Sequence, residues 1–247
     1  MTDLHPRELQ THFAFATVLL DFGPIHDFFS AHSAVEVAQV LSNQPSISGV
    51  ELARLKDPVS RRDPLAMLQA VSSASWDASL VECIERRLTS EEVSAADGTR
   101  LTPHADELVL RLHDAGYFLA VTSNNSAEVA SRYFAGRRAA GCFEHVRRQM
   151  SDLKLLKPNP DCLRRALEST GAAAADALMT GDSPSDRHAA QRLGVSFIGF
   201  AKNDRKSMAL SAGVNAIVRS PRSLVEAVDW VYAEERREVS SSVLAGV

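Results

Sequence analysis

Polar side chains that could carry nucleophilic and metal-assisted chemistry stand at the ends of short apolar runs in this sequence. Asp21 ends the first run, and Ser123 ends the second. A third run leads into the loop Gly181-Asp182-Ser183-Pro184-Ser185-Asp186, and a lysine precedes a Pro-Asn-Pro segment that is typical of a helix start. The residues predicted to form a site are Asp21, Ser123, Asn124, Lys157, Asp182 and Asp186.

These residue types suit attack on phosphorus by a carboxylate. Asp21 can form an aspartyl-phosphate, which divides a hydrolysis into two easier steps. Asp182 and Asp186 offer the oxygen ligands that Mg²⁺ prefers, and the ion would neutralise the repulsion between Asp21 and an anionic phosphoryl group. Ser123 can donate a hydrogen bond to a phosphoryl oxygen. Lys157 would place a positive charge near the oxygens that gain negative charge in the transition state.

The elements that must position these side chains follow from the pattern of apolar runs. Five short runs predict strands buried on both faces, which is typical of a parallel sheet covered by helices. Capping residues and prolines between them predict helices, so we expect an α/β fold with a doubly wound, mostly parallel, Rossmann-like sheet. Its ligand site should lie at the carboxyl ends of the strands. The predicted strands cover residues 15–20, 118–122, 177–180, 195–199 and 216–218.

Residues 26–98 do not alternate in this way and predict three helices, over residues 33–41, 63–71 and 77–88. Because this block lies between the first two core strands, we expect an inserted helical cap domain that covers the strand ends. A hinge is expected near residues 96–99, and the end of the chain should be frayed. The predicted units are a discontinuous core (1–25 and 99–240), a cap (26–98) and a tail (241–247).

Composition is that of an ordinary globular protein and argues against several classes. Of 247 residues, 45% are hydrophobic and 23% are charged, which argues against wholesale disorder. The formal net charge of −4 disfavours nucleic-acid binding. Three widely spaced cysteines form neither a disulfide framework nor a zinc pattern and fit a reducing compartment. The apolar run over residues 13–20 is too short to span a bilayer. We therefore predict a cytoplasmic protein without nucleic-acid or membrane partners.

In this order, the motifs resemble those of the haloacid dehalogenase superfamily, in its phosphoglycolate-phosphatase-like subgroup with a helical cap. The resemblance extends over about residues 13–220. It implies a nucleophilic aspartate, a Mg²⁺ cofactor and a small phosphorylated substrate. The site that it implies comprises catalytic Asp21, Ser123 and Lys157, substrate-binding Ser123, Asn124 and Lys157, and metal-binding Asp21, Gly23 (through its main-chain carbonyl), Asp182 and Asp186.

The first motif departs from the family pattern. The family's phosphatases carry a second aspartate two residues after the nucleophile, as the general acid/base, and here the segment is Asp21-Phe22-Gly23-Pro24-Ile25. A missing general acid costs a factor of ~10²–10⁴ in rate, and a good leaving group such as an acyl or aryl phosphate suffers less. His26 or Asp27 are the candidates for a replacement. Either Gly23 replaces that aspartate or one residue is deleted before Gly23. If only the acid is missing, Gly23→Asp or the insertion of Asp before Gly23 should create activity.

We therefore predict a Mg²⁺-dependent phosphatase with weakened acid/base catalysis. One alternative is a catalytically impaired relative that binds a ligand or partner. A second is cleavage of C–X or C–P bonds, as in dehalogenases, which need no metal, or phosphonatases, which use a cap lysine; Lys56 is the only lysine in the cap block. A third is a serine esterase, suggested by Gly181-Asp182-Ser183, although no Asp-x-x-His pair follows it.

Overall fold

The structure is a computed structural model, and only part of the chain is described here. The predicted replacements His26 and Asp27, Lys56, and the tail 241–247 lie outside that part. Within the described ranges, no helix has the length and apolar character needed to cross a membrane. The described residues are 15–25, 34–43, 64–73, 78–98, 102–143, 145–147, 153–211, 214 and 216–229.

Six described strands form one parallel sheet. They are β1 (Thr17–Leu20), β2 (Phe118–Thr122), β3 (His145–Arg147), β4 (Ala177–Gly181), β5 (Ser196–Phe200) and β6 (Ala216–Val218). Their order across the sheet is β3-β2-β1-β4-β5-β6, and every neighbouring pair is parallel. The predicted α/β fold is therefore confirmed, and β3 is the described strand that the sequence did not predict. Its three residues include a histidine and an arginine, so it lacks the apolar run that marks the other strands.

Helices connect the strands in the described part of the chain. They are α1 (Phe22–Ile25), α2 (Ala34–Ser42), α3 (Pro64–Ser73), α4 (Ala78–Gly98), α5 (Ala105–Asp114), α6 (Ala127–Phe134), α7 (Asp161–Thr170), α8 (Pro184–Leu193), α9 (Asp204–Leu210) and α10 (221–229). The sequence did not predict α1 or α9. The helix α4 continues well beyond its predicted end at residue 88, so the predicted hinge at 96–99 is helical as far as Gly98.

Capping residues fix where the helices near the sheet's carboxyl edge begin. Ser126 caps α6 by accepting a hydrogen bond from the Val129 N–H. Ser183 caps α8 in a reciprocal box with Asp186, and Gly194 ends that helix with a positive φ of 74°. Asn203 caps α9 by accepting from the Lys206 N–H. Each cap holds a helix start next to the end of a strand.

Apolar residues cover both faces of the sheet. Along β1, Val18 and Leu20 belong to the cluster on one face, and Leu19 belongs to the cluster on the other. This alternation is what a central parallel strand requires, since successive side chains point to opposite faces. A third cluster, here called the α2–α4 cluster, contains Val37, Ala38, Leu41, Met67, Leu68, Val71, Ile84, Leu88, Leu153 and Leu156.

Candidate active site

The polar residues that follow β1, β2 and β4 meet at one edge of the sheet. These strands are adjacent, and Leu20 of β1 pairs in register with Val121 of β2 and Thr180 of β4. The Asp21 N–H continues the ladder by donating to the Thr180 carbonyl at 2.9 Å. The structure therefore brings the side chains after these strand ends to one place, as the topology of a parallel sheet predicts.

Three carboxylates form the centre of this site. Asp21, Asp182 and Asp186 each offer one oxygen, and these oxygens lie within 4.8 Å of one another. The side chains of Asp21 and Asp182 are 13% and 19% exposed, whereas that of Asp186 is only 2% exposed. Asp21 is thus open enough to meet a substrate, while Asp186 is an internal group.

Lys157, a buried residue, neutralises part of this negative charge. Its Nζ lies 2.6 Å from Asp21 Oδ1 and 2.7 Å from Asp186 Oδ1, and it donates to the Thr122 carbonyl at 2.9 Å. Burial lowers the pKa of Lys157, but the charges of Asp186 and Asp21 raise it by more, so its pKa lies above the ordinary value. The side chain is therefore a permanently charged ammonium group.

Asp186 lies in the first turn of α8 and is held by the N-cap residue Ser183 as well as by Lys157. Its Oδ2 accepts from the Ser183 N–H at 3.1 Å and from the Ser183 hydroxyl at 2.7 Å. Burial raises the pKa of Asp186, the Asp21 charge raises it further, and the Lys157 ammonium opposes both. The Ser183 hydroxyl is thus explained by helix capping, which gives the serine-esterase alternative no support.

Asn124 positions Lys157 by gripping its backbone. Its Oδ1 accepts from the Lys157 N–H at 2.9 Å, and its Nδ2 donates to the Lys157 carbonyl at 3.2 Å. The sequence predicted Asn124 as a substrate-binding residue. In the structure each end of its amide makes one bond to the Lys157 backbone, and Nδ2 carries a second N–H besides the one used here. The Lys157–Pro158 bond that follows is cis.

Ser123 lies beside this pair, and its hydroxyl is bonded within its own loop. It donates to Asn125 Oδ1 at 2.8 Å and accepts from the Asn125 N–H at 3.0 Å. The Asn125 Nδ2 in turn donates to Glu92 Oε1 at 2.8 Å. Sequence reasoning missed Glu92. Its position lies on the buried face of α4 that also carries Ile84, Leu88 and Ala95, so helical spacing was the signal that could have identified it as buried.

Gly23 has no room for a side chain beside Asp182. A Cβ atom at this position would lie 2.4 Å from both Asp182 Cγ and Oδ1, closer than non-bonded atoms can approach. The Gly23 N–H donates to Asp21 Oδ2 at 2.9 Å. The predicted Gly23→Asp gain of activity therefore meets a steric obstacle, because Asp182 would have to leave its present position first.

Lys206 supplies a second ammonium group to the site, which sequence reasoning missed because α9 was not predicted. It forms an ion pair with Asp182 Oδ2, and its side chain is 42% exposed. Among the described residues of this cluster, three carboxylates thus face two ammonium groups, which leaves a formal charge of −1.

The donor set fits a hard divalent cation. Carboxylate oxygens from three side chains converge, and Mg²⁺ is bound through one or two carboxylates together with water and substrate oxygens. A formal charge of −1 repels a phosphate dianion, whereas a divalent ion would change the local charge to +1. We therefore expect metal binding and phosphate binding to support each other at this site.

Comparisons with known proteins place this architecture among hydrolases. The family model described as haloacid dehalogenase-like hydrolase matches residues 51–200. No curated protein sequence matches the chain significantly.

Solved structures of low sequence identity share the fold. A predicted phosphatase from Clostridium acetobutylicum is 20% identical with a TM-score of 0.66, covering 86% of this chain and 97% of its own. A hydrolase from Pseudomonas syringae is 18% identical with a TM-score of 0.66, covering 87% and 98%. CbbY from Rhodobacter sphaeroides, solved with xylulose-(1,5)bisphosphate, is 18% identical with a TM-score of 0.61, covering 84% and 95%.

Proposed function

The chain belongs to the haloacid dehalogenase-like hydrolase family, and on that premise we propose that it is a Mg²⁺-dependent phosphatase of small phosphorylated metabolites. The observation that carries the proposal is the convergence of Asp21 with Asp182, Asp186 and the buried Lys157 ammonium at one strand edge. Fold relatives described as a phosphatase and as a protein in complex with a bisphosphate support a phosphorylated substrate.

Asp21 is the proposed nucleophile. One of its carboxylate oxygens forms a bond to phosphorus while the bond from phosphorus to the leaving oxygen breaks. Lys157 contacts Oδ1 and the Gly23 N–H contacts Oδ2, so both contacts fix the plane of the carboxylate before attack. When bound, Mg²⁺ supplies positive charge to the phosphoryl oxygens as a Lewis acid.

Water completes the reaction. It attacks the phosphorus of the aspartyl-phosphate, the bond between phosphorus and Asp21 breaks, and inorganic phosphate is released. We assign the proton of this water to solvent, because among the described residues position 23 is a glycine and offers no carboxylate to accept it. For the same reason the leaving group departs as an anion, so acyl and aryl phosphates are the preferred substrates and alkyl phosphates are poor ones.

Turnover assays test this function. We expect the protein to hydrolyse acetyl phosphate and p-nitrophenyl phosphate with Mg²⁺, and to hydrolyse glycerol phosphate at least ~10²-fold more slowly. Chelation of Mg²⁺ and the Asp21→Asn substitution should each abolish turnover. A matched control, Asp176→Asn at an exposed surface position, should keep it. Release of phosphate no faster than in Asp21→Asn would refute the proposal.

The contact between Lys206 and Asp182 favours a second candidate, a protein that binds phosphorylated ligands without turning them over. The ammonium at Asp182 and the absence of a carboxylate at position 23 are both expected to weaken catalysis, whereas neither removes the Lys157 ammonium from the site. Binding of p-nitrophenyl phosphate with no product over hours would support this candidate. The three carboxylates, which suit a divalent ion, argue against the metal-free dehalogenase alternative.

A further inference from the structure

Glu92 is a buried acid that the proposed reaction does not use. It lies on α4, and only 6% of its surface is exposed. Its carboxylate accepts a hydrogen bond from Asn125 Nδ2 at 2.8 Å and another from the Ser126 backbone N–H. It therefore connects α4 to the segment that carries Ser123, across 33 residues of sequence.

The charge of Glu92 dictates which way the Asn125 amide points. An ionised carboxylate only accepts hydrogen bonds, so the donor end of the amide, Nδ2, must face it. The acceptor end, Oδ1, then faces Ser123 Oγ at 2.8 Å. The Asn125 N–H donates a further hydrogen bond to Ser123 Oγ, at 3.0 Å. The result is a continuous chain of bonds from Glu92 through Asn125 to Ser123.

Ser123 has a single hydroxyl proton, and this chain of bonds occupies it. The hydroxyl donates that proton to Asn125 Oδ1. A phosphoryl oxygen that approaches Ser123 needs the same proton, because it can only accept. If Glu92 is neutral, its own hydroxyl can donate to Asn125 Oδ1. The amide can then turn over and present Nδ2 to Ser123 Oγ, which frees the Ser123 proton for the ligand.

We propose that Glu92 is a positioning residue that determines, through Asn125, whether the Ser123 proton is available to a bound phosphoryl group. Ionised Glu92 withholds the proton, and neutral Glu92 releases it. This role rests on the proposed function of the site, because it assumes that Ser123 binds an oxyanion there.

Burial shifts the pKa of Glu92 into the pH range near neutrality. Desolvation raises its pKa to about 7, although the hydrogen bonds from Asn125 and the Ser126 N–H lower it in part. On the elements packed against α4, α3 carries no charged residue, and the charged groups of the others lie at more exposed positions. These groups are Glu36 on α2 and Glu128 and Arg132 on α6. The helix α4 itself carries two described ion pairs, Glu82–Arg86 and Arg87–Glu91.

The test is the affinity for sulfate, which remains a dianion from pH 5.5 to 8.5, measured by calorimetry at saturating Mg²⁺. The ratio of the affinity of Glu92→Gln to that of the wild type should be about 1 at pH 5.5. It should rise to roughly three- to tenfold at pH 8.5, the equivalent of one hydrogen bond, with its midpoint near pH 7. Titration of Asp186 is common to both proteins and cancels in this ratio.

The matched control is Glu82→Gln, which makes the same chemical change on α4 at a side chain that is 71% exposed. It should bind sulfate like the wild type at every pH. In an Asn125→Ala background, Glu92→Gln should lose most of its effect, because the intermediate link is gone. A ratio that is flat with pH, an equal change in Glu82→Gln, or an undiminished effect in Asn125→Ala would overturn the proposal.

Failure of the underlying function gives a different result. Ser123→Ala should weaken sulfate binding at pH 5.5, where the hydroxyl proton is free to be donated. If Ser123→Ala binds sulfate as tightly as the wild type, the assignment of the oxyanion site is wrong. If Ser123→Ala weakens binding but the Glu92→Gln ratio stays flat, only the role of Glu92 is wrong.

Discussion

The Asp182 carboxylate and a side chain at position 23 would occupy the same space. In the described structure the Asp182 carboxylate fills the volume that a Cβ at position 23 would need. The residue at the position expected for the general acid/base is therefore coupled to the position of a predicted metal ligand. Sequence comparison alone treats these as separate motifs, because they lie on different strand ends.

Substitution of Gly23 by alanine tests this steric coupling. We expect Gly23→Ala to lower the free energy of unfolding by about 1–3 kcal/mol through overpacking. It should also weaken Mg²⁺ binding, because Asp182 has to rotate away. Denaturant unfolding and calorimetry measure the two effects. Gly141→Ala, at a position with nothing within 4 Å of the added Cβ, is the control. Unchanged Mg²⁺ affinity in Gly23→Ala would contradict the coupling.

Lys206 is expected to compete with a divalent ion for Asp182. Lys206→Met removes the competing ammonium, so Mg²⁺ should bind about two- to fivefold more tightly, the range expected for a partly exposed ion pair. Without metal the same variant should unfold more readily, since the three carboxylates lose one counter-charge. Paramagnetic Mn²⁺ titration and thermal unfolding report the two effects. Arg205→Met, at an exposed position of the same helix, should change neither. Weaker ion binding in Lys206→Met than in the wild type would contradict the competition.

Among the elements, apolar runs predicted every described strand except β3. The residues of β1 and β4 are buried throughout, so their apolar character identifies them. The strand β3 is an edge strand of three residues, and its histidine and arginine interrupt the apolar pattern by which a strand could be predicted. The helix α9 has seven residues and carries Met208 at 77% exposure, so it has no clear apolar face. The site was predicted to the same extent: residues after apolar strands were found, and Lys206 on α9 was missed.

Glu92 was missed for a different reason. Its position on α4 fits an apolar stripe, and a glutamate there looks like a break in the pattern when the sequence alone is considered. Only the fold brings it against Asn125, which is 33 residues away in the chain. Contacts between distant segments cannot be inferred from helical periodicity.

The buried Glu92 should make stability depend on pH. Its folded-state pKa of about 7 lies above the ordinary value of 4.5, so between these values the folded state binds more protons than the unfolded state. Stability contributed by neutral Glu92 is therefore full below pH 4.5 and falls as the pH rises to 7. Glu92→Gln should remove that slope and stabilise the protein at pH 8 by on the order of 3 kcal/mol. Chemical denaturation at pH 5 and 8 measures it.

Glu82→Gln makes the same chemical change at an exposed side chain and so separates the effect of burial from the effect of the substitution itself. The free energy of unfolding of the Glu82→Gln protein should therefore follow that of the wild type at both pH values. If Glu92→Gln also follows the wild type, the buried carboxyl is not the source of the pH dependence.

At the scale of the whole molecule, the α2–α4 cluster connects the helical block to the segment that presents Lys157. Leu153 and Leu156 pack in this cluster with residues of all three helices, and Leu156 is the residue before the lysine. The packing of these helices therefore supports the backbone of a predicted catalytic residue, in addition to the two bonds from Asn124.

Leu156→Ala should affect stability and the site together. Removing a side chain that is 4% exposed should cost about 2–4 kcal/mol, and the loosened backbone should raise KM for p-nitrophenyl phosphate. Leu155→Ala, at a half-buried neighbour outside the cluster, should have a smaller effect on both. Thermal unfolding and steady-state kinetics give the two readouts. A loss of stability with unchanged KM would show that the cluster does not support the site.

The shared volume at Gly23 and Asp182 also constrains the order in which this sequence can change. A lineage that acquires a carboxylate at position 23 first meets a clash before it gains any catalytic advantage. A change on α9 that releases Asp182 has to come earlier, and by itself it offers little benefit. Laboratory selection for faster turnover of alkyl phosphates should therefore accumulate substitutions near Lys206 before any at Gly23, and single-step libraries at Gly23 should return no improved clones.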